Sequence, residues 1–312
     1  MSGSRNAVCI AAARMLNSVG NNIQSADKIQ VTENNAFISI KGKSFKYCLD
    51  KRTGLFAELV RADKEFFTEP MDISIWRAPV DNDMYIKQEW IRAGYDRTRV
   101  RAYDVTITEQ EHKVVLKCSM SMSADAVQRI LNMDTVWTVF ADGAISMEMK
   151  VRRCPEFPYL PRFGLRLFMD TQLEDVLYYG MGPTESYCDK HHAASHGIYV
   201  EKIWNMYEDY IRPQEKGSHY DCSYVTVKGE DCCFSAVSEN AFSMNASIYT
   251  QEELTEKAHN FELQPSEANV LCLDYAQSGV GSNSCGPDLA EEYRLDEKEF
   301  DFCITLLPGL RR

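Results

Sequence analysis

Residues 178–190 read YYGMGPTESYCDK, and this stretch joins the end of a strand to the start of an elaborate loop. The bulky residues at 176–179 are the type that a pleated, half-buried surface favours. Gly180, Gly182 and Pro183 then predict a break in the strand and the opening of a loop. The polar and aromatic residues that follow exceed what a hairpin turn needs, and such loops on a rigid sheet often carry binding function. The competing interpretation is a tight turn whose glycines serve backbone geometry alone.

Alternation of apolar and polar residues dominates the chain on both sides of this stretch, from Lys28 onward. A period of two residues is typical of half-buried strands. Residues 136–140 and 145–151 are two such runs, and the Ala-Asp-Gly at 141–143 predicts a hairpin between them because Asp-Gly accepts positive φ. Many strands with few helices predict an all-β fold of antiparallel sheets packed face to face. Further alternating runs cover residues 45–49, 114–120, 163–169, 242–248 and 300–306.

Helical patterns are confined to a few short segments. Residues 86–93 place apolar side chains on one face, and residues 251–257 form an acidic helix that Thr250 is expected to cap. Residues 1–27 differ from the rest and are predicted to be a lead-in segment, either helical or a linker remnant. The strand pattern then runs without a linker, which predicts one large domain over residues 28–312.

The composition is acidic, with a net charge of −12 over 312 residues. This charge argues against a nucleic-acid or anionic-membrane partner because no basic surface is supplied. No apolar run approaches a membrane span, and the N-terminal apolar run is too short for a signal peptide. The eleven cysteines are scattered without paired metal spacing, and Cys118 falls at an inward strand position where cysteine acts as a small hydrophobe. These features predict a cytoplasmic protein without a metal or other cofactor.

Two stretches resemble metal-binding sequences only weakly. Residues 76–83, WRAPVDND, lack the glycine and the twelfth-position glutamate of a calcium loop, so a structural turn held by Arg77 and the carboxylates is favoured. A zinc ion could be bound by the histidines of the segment 191–196, which are His191, His192 and His196. The i,i+4 pair, His192 and His196, would need a helix to bring both rings to one ion. A polar loop is the favoured interpretation of these histidines, with zinc binding and acid–base chemistry as the alternatives.

Residues 277–287, QSGVGSNSCGP, form a second small-residue loop directly after a strand. A phosphate-binding loop is disfavoured because the P-loop lysine is absent and no helical pattern follows. Cys285 lies among small residues and is expected to be accessible. It has no neighbouring histidine in the sequence to activate it, so a role as a nucleophile is also disfavoured.

Five stretches in this order closely resemble the C-terminal domain, or small-chain "domain 5", of the large β-galactosidases of glycoside hydrolase family 2. The same domain occurs as the separate small subunit of heterodimeric β-galactosidases. The resemblance covers residues 29–310, nearly the whole chain. The stretches are WRAPVDND at 76–83, LPRFG at 160–164, YYGMGPTESYCD at 178–189, MYEDYIRPQEKG at 206–217 and SGVGSNSCGP at 278–287.

The resemblance implies a β-supersandwich of the galactose-mutarotase type. In this family the two catalytic glutamates lie in a preceding TIM barrel, and the chain has no room for such a barrel of about 250 residues. The implied role is therefore the C-terminal domain or small subunit of a retaining β-galactosidase that hydrolyses terminal β-D-galactosides such as lactose. No catalytic residue is expected in this chain. The expected partners are the galactoside, the barrel portion or large subunit, and further copies in an oligomeric enzyme.

The resemblance also implies which residues border the substrate. One family loop lies at the rim of the galactose cleft, and a second reaches into the active site. Some members of the family carry a tryptophan in the second loop, where this chain has Cys285. The substrate-cleft rim is therefore expected to include Gly182, Pro183, Glu185, Asn283, Ser284 and Cys285.

Two other functions remain open at this stage. The first is a free-standing mutarotase-like sugar epimerase that uses a histidine and a carboxylate for proton transfer at the anomeric centre. The second is a carbohydrate-binding domain without chemistry of its own.

Overall fold

The computed structural model describes residues 28–281 and 285–310. In this part the chain is mostly strand with two short α-helices, so the all-β prediction is confirmed. The strands are β1 (Gln30–Glu33), β2 (Phe37–Lys41), β3 (Phe45–Asp50), β4 (Leu55–Arg61), β5 (Lys64–Glu65), β6 (Phe67–Ser74), β7 (Thr98–Gln110), β8 (Lys113–Ala124), β9 (Leu131–Phe140), β10 (Ile145–Arg153), β11 (Arg162–Met169), β12 (Asp175–Gly182), β13 (Ser195–Lys202), β14 (Ser218–Lys228), β15 (Cys232–Ser247), β16 (Asn269–Gln277) and β17 (Glu299–Leu310).

The two helices are α1 (Ile86–Ala93) and α2 (Gln251–Glu256), where the sequence predicts them. Helix α1 ends at Gly94, whose φ of 79° is the left-handed geometry that glycine tolerates best. Helix α2 begins after Thr250, whose side chain accepts a hydrogen bond from the Glu253 amide at 3.1 Å. Neither helix of the described residues is long and apolar enough to cross a membrane. The 3-10 turns are Asp81–Asp83, Tyr95–Arg97, Ile203–Met206, Asn260–Glu262 and Glu291–Tyr293.

The strands form two sheets, and every described strand pair is antiparallel. The smaller sheet has the order β1-β2-β3-β4-β5. The larger sheet runs β13-β12-β14-β15-β17-β10-β9-β8-β7. Strands β16, β11 and β6 extend from β15 as a branch of the larger sheet.

Strand β15 is where the larger sheet divides. Its residues 232–237 pair with β17, whereas its residues 243–247 pair with β16. One strand therefore belongs to both branches, and the two branches diverge from it.

The main core lies between these layers and includes side chains from both sheets. Tyr47 of the smaller sheet and Trp137 of the larger sheet are both fully buried in one continuous cluster. The period-two pattern explains this arrangement, because alternate residues of β9 are buried along its length. The hairpin at 141–143 is confirmed, since β9 and β10 pair in register and Gly143 has a φ of 87°.

One detail of the sequence interpretation is wrong. The strand that opens the 178–190 stretch does not break at Gly180, because β12 continues to Gly182 and pairs with β13 over its whole length. Gly180 instead allows close packing, since a Cβ atom there would lie 2.4 Å from the Cys222 sulfur. The predicted lead-in segment at 1–27 lies outside the described residues, and the single domain over 28–312 stays a prediction.

Candidate functional site

The two loops that the sequence singles out meet at one side of the larger sheet. The Asp189 carboxylate accepts hydrogen bonds from the backbone amides of Val280 at 3.0 Å and Gly281 at 2.7 Å. A Cβ atom on Gly279 would lie 2.4 Å from Asp189 Oδ2, so the missing side chain makes room for the carboxylate. These contacts bring Asp189 of the first loop against Val280 and Gly281 of the second.

Arg77 anchors the second loop from beneath. Its guanidinium is fully buried and donates to both carboxylate oxygens of Asp83, at 2.7 and 3.1 Å. It also donates to the carbonyl oxygens of Ser278 and Gly279, and it lies over the Trp90 ring. A planar guanidinium suits this set of acceptors because its donors are fixed in a fork. The 76–83 stretch is therefore the structural turn predicted from its sequence, and it holds the start of the second loop at Ser278 and Gly279.

Glu185 is the most connected residue of the first loop. Its side chain is buried and accepts hydrogen bonds from Lys190 Nζ at 2.5 Å, from the Gly217 amide at 2.9 Å and from the Tyr210 hydroxyl. The Tyr187 hydroxyl donates at 3.3 Å to Oε2, the oxygen that also accepts from the Gly217 amide. A carboxylate with these partners holds the loop to the 206–217 segment. Glu185 thus fixes the position of its loop and does not present a free acid.

The other predicted rim residues differ in their surroundings. Gly182 ends β12 and is buried against Tyr178, whereas Pro183 follows it through a cis peptide bond and is exposed. Cys285 is exposed, as its sequence neighbours predict. Asn283 and Ser284 lie outside the described residues.

A buried charged triad lies under the cleft. Arg162 donates to both oxygens of Asp274, at 2.6 and 3.1 Å, and to Glu215 Oε1 at 2.8 Å. Burial raises the pKa of the Glu215 and Asp274 carboxyl groups, and the positive charge of Arg162 opposes this effect. Glu215 Oε2 has no hydrogen-bond partner among the described residues. Sequence reasoning missed this triad, although charged residues inside apolar strands at 162 and 274 were a usable signal.

Lys216 is a second residue that the sequence did not reveal. Its ammonium group lies 3.2 Å from the centre of the Tyr207 ring, in a cation–π contact. Burial lowers the pKa of Lys216 to about 8. A lysine in a loop is usually exposed, so nothing in the sequence pattern pointed to this burial.

The histidines do not converge on a common point. His196 lies in β13, where its Nε2 is 2.9 Å from Asp221 Oδ2, whereas the His191 ring stacks on the His192 ring. No helix brings 192 and 196 together, and the described residues contain no group of three or more potential metal ligands. His219 is buried against Tyr178, and burial lowers the pKa of His219 to about 4.

These elements enclose a cleft of about 380 Å³. This volume lies within the range of small-molecule sites in proteins. Four of the five stretches that carry the family resemblance line it, and the fifth supplies Arg162 below it. The lining residues are Val80, Asp81, Asn82, Glu185, Tyr187, Asp189, Lys190, Tyr210, Gln214, Glu215, Val280 and Gly281.

The carboxyl groups of the cleft are mostly engaged in holding the structure. Glu185 binds an ammonium group, Glu215 binds a guanidinium, and Asp189 binds two backbone amides. Asp81 differs, since it is exposed and, within the described part of the chain, its carboxylate accepts a long hydrogen bond of 3.4 Å from the Gln214 side chain. The arrangement is suited to holding a polar ligand, and it lacks a pair of free facing carboxylates among the described residues.

Comparison with solved structures returns distant likenesses. A galactose 1-epimerase from Lactobacillus acidophilus is 6% identical, with a TM-score of 0.46, and the alignment covers 92% of this chain and 99% of that one. The heparan sulfate lyase HepC from Pedobacter heparinus is 9% identical, with a TM-score of 0.41, over 98% of this chain and 42% of that one.

Comparison with curated sequences returns β-galactosidases. The enzyme of Actinobacillus pleuropneumoniae is 45% identical over 278 residues, which are 89% of this chain and 27% of that enzyme. The enzyme of Staphylococcus xylosus is 37% identical over 282 residues, which are 89% of this chain and 28% of that enzyme. This chain therefore spans little more than a quarter of the length of these relatives.

A protein family described as the beta galactosidase small chain matches residues 41–306, which is most of the sequence. This match includes all five stretches that carry the resemblance and every residue that lines the cleft. The chain belongs to the β-galactosidase small-chain family.

Proposed function

We propose that this chain is the C-terminal domain or small subunit of a retaining β-galactosidase. It would supply the rim of the substrate cleft, while the catalytic glutamates lie in the portion that the relatives carry and this chain does not. The observation that carries the proposal is the cleft itself, because the sequence stretches shared with the family converge on it. The substrate would be a terminal β-D-galactoside such as lactose.

The residues of the cleft support a binding role rather than a catalytic one. Hydrolysis with retention needs two carboxyl groups about 5 Å apart on opposite sides of the glycosidic bond, and one of them attacks the sugar. Glu185 and Glu215 are each bound to a cation, so neither is an unengaged nucleophile. The exposed side chains of Asp81 and Lys190 and the half-buried side chain of Asn82 are suited to hydrogen-bonding sugar hydroxyls at the rim.

The cleft gives less support to the alternative of a mutarotase-like enzyme. Proton transfer at an anomeric centre would require a histidine or a comparable base in the cleft. None of the described residues that line it is a histidine. His219, the nearest in sequence to the 206–217 stretch, is buried with a pKa lowered to about 4, so its imidazole is neutral and enclosed.

The setting of the protein is part of the proposal. Buried thiols such as those of Cys118, Cys222 and Cys272 occupy the strands as small apolar side chains, and burial raises the pKa of each. This usage supports a reducing, cytoplasmic location. We expect the complete enzyme to be an oligomer.

The proposal is tested with a chimeric enzyme, in which this chain replaces the matching segment of the A. pleuropneumoniae β-galactosidase. Release of nitrophenol from nitrophenyl β-galactoside is measured for the chimera, for the same enzyme without the segment and for the isolated chain. We expect turnover by the chimera and background rates for the other two. Turnover by the isolated chain that survives repurification would contradict the proposal, and so would a chimera that is folded but inactive.

A further inference from the structure

A second concave site lies at the other end of the Arg162 network from the cleft. This site, called the acidic hollow here, has a volume of about 490 Å³, and the described residues that line it include none of those that line the cleft. Gln277 lines the hollow and donates to Asp274, which binds Arg162, and Arg162 in turn binds Glu215 in the cleft. The volume is that of a small-molecule site, so the hollow has room for a small organic ligand.

The hollow is strongly acidic. Five carboxylates and one guanidinium belong to the described residues that line it, and the five acids are Asp221, Glu291, Glu292, Asp296 and Glu297. The guanidinium of Arg294 is engaged elsewhere, because its Nε donates to the Leu289 carbonyl oxygen at 2.7 Å and it lies over the Tyr159 ring. Asp221 lies 2.9 Å from His196, whereas the other four carboxylates form no ion pair with a described residue. A concave surface with this sign of charge concentrates cations.

Gln277 adds a buried acceptor that has no donor. The residue is only 7% exposed, and its amide nitrogen donates to Asp274 Oδ2 at 2.9 Å and to Ser218 Oγ at 3.0 Å. The Asp274 carboxylate binds Arg162 and only accepts hydrogen bonds, so the nitrogen of the amide must face it. The oxygen, Oε1, then has no hydrogen-bond partner among the described residues. Buried polar atoms are normally paired, so this oxygen is available to an N–H or O–H donor that enters the hollow.

Three half-buried tyrosines add aromatic surface to the hollow. They are Tyr220, Tyr275 and Tyr293. Phe300 stacks on the Tyr275 ring with 4.5 Å between the ring centres, and the Tyr275 hydroxyl donates to Glu297 at 3.0 Å. These two contacts hold the Tyr275 ring in place and put a carboxylate beside it. The hollow therefore combines hydrogen-bond acceptors, negative charge and aromatic rings.

An organic ammonium ion matches all three features. Its charge is attracted to the carboxylates, its N–H groups donate to acceptors such as Gln277 Oε1, and a cation is favoured over an aromatic face. A bare metal ion fits less well, because the described residues contain no group of three or more side chains that could hold one. Going beyond the proposed function, we propose that the acidic hollow binds a small organic amine in its protonated form.

Calorimetric titration of the chain with putrescine tests this site, because putrescine is a diamine that is protonated at both ends at neutral pH. Tetramethylammonium carries a similar charge without an N–H donor and serves as the comparison, at the same ionic strength. We expect putrescine to bind saturably at one site per chain. Tetramethylammonium should bind at least about tenfold more weakly, because it cannot form the charge-assisted hydrogen bonds.

A pair of double variants locates the binding. Glu291→Gln with Glu297→Gln removes two carboxylates of the hollow and nearly preserves side-chain size, and it should weaken putrescine binding at least about tenfold. Glu69→Gln with Glu109→Gln is the matched control, since both glutamates are exposed on β6 and β7 and neither lines the hollow. The control removes the same amount of charge, and its affinity should stay within about twofold, because salt screens distant exposed charges.

A third variant reports on the aromatic wall. Tyr293→Leu keeps an apolar side chain but removes the ring, so binding of putrescine should weaken at least about threefold. The substituted side chains are exposed or half-buried, so the urea midpoint of each variant should match that of the parent protein. This measurement separates lost binding from lost folding.

Several results would overturn the inference. One is the absence of saturable putrescine binding, and another is an equal loss in the two double variants, because charge alone would then explain the binding. Tetramethylammonium that binds as tightly as putrescine would show that the N–H donors are not recognised. Binding of D-galactose in place of putrescine, weakened by Tyr293→Leu, would assign the hollow to a neutral sugar. None of these results bears on the proposed function, which the chimeric enzyme tests separately.

Discussion

Asp189 Oδ2 lies 2.7 Å from the backbone nitrogen of Gly281, and this hydrogen bond joins two loops that are far apart in the sequence. The second oxygen of the same carboxylate accepts from the Val280 amide. Short loops of small residues have little apolar area with which to hold themselves in place. One carboxylate therefore sets the relative position of the two loops at the rim of the cleft.

We expect Asp189→Ala to lower the free energy of unfolding by about 1–2 kcal/mol, since it removes two hydrogen bonds to a charged acceptor. Gly279→Ala should have a similar effect, because its new Cβ atom would lie 2.4 Å from Asp189 Oδ2 and displace the carboxylate. The double variant should be little less stable than either single variant, because both remove the same contact. Urea unfolding of the four proteins measures this coupling. Strict additivity would show that the two residues act independently.

Arg77→Lys should destabilise the fold by about 3 kcal/mol, even though the charge is retained, because lysine cannot reach the acceptors that the guanidinium fork serves. Those acceptors are Asp83 and the carbonyl oxygens of Ser278 and Gly279. Arg152→Lys is the control, since Arg152 pairs with Asp134 on the exposed surface at 2.7 Å. This control should change stability by less than about 0.5 kcal/mol. Equal effects of the two substitutions in thermal or urea unfolding would contradict the anchoring role of Arg77.

Cys285→Trp should alter substrate preference more than stability. The side chain of Cys285 is exposed, so a larger residue there is expected to change the free energy of unfolding by less than about 0.5 kcal/mol. In the chimeric enzyme, the indole ring would add an apolar face, on which a sugar can stack, at the rim position that the family resemblance implies for residue 285. The measurement is the ratio of kcat/KM for lactose to that for nitrophenyl β-galactoside. Lost folding with an unchanged ratio would show that the position is part of the packed structure.

The stability of the chain should depend on the ionisation of His219. Burial lowers the pKa of His219 to about 4 in the folded protein, against about 6.5 in an unfolded chain. Between these values the unfolded chain binds a proton that the folded protein excludes. The free energy of unfolding should therefore fall by up to about 3 kcal/mol as the pH drops from about 6.5 to about 4.

His219→Gln removes this titration, so its unfolding free energy should depend less steeply on pH over the same interval. His192→Gln removes an exposed histidine and serves as the matched control. Urea unfolding at several pH values gives the three profiles. A His219→Gln profile parallel to that of the parent protein would contradict the assignment.

Local patterns were enough to predict the elements of the fold. The period-two alternation located the strands, and the Thr250 cap and the 86–93 apolar face located the helices. These signals arise from neighbours within a few residues, so they are visible in the sequence alone. The break predicted at Gly180 was wrong because this glycine is required by a contact with a residue distant in the sequence. A side chain at position 180 would clash with Cys222 on the neighbouring strand.

The details of the site depended on contacts between distant parts of the chain. The sequence placed Glu185 in a rim loop but gave no sign that Lys190, Tyr210 and Gly217 would all bind its carboxylate. The pairing of Arg162 with residues of two other segments was equally hidden. The topology of the sheets determines which charged groups come into contact. A single sequence does not reveal these pairings unless the fold is known.

The position of β17 has a consequence for how the protein is made. This strand follows every other described strand in the chain, yet it pairs with β10 on one side and β15 on the other, in the interior of the larger sheet. It emerges from the ribosome after the other described strands, so β10 and β15 are synthesised before their shared partner exists. Non-local pairings of this kind fold slowly and leave strand edges open in the meantime. A nascent chain that stalls before residue 299 would leave one edge of β10 and one edge of β15 unpaired. Such intermediates are candidates for chaperone binding during translation.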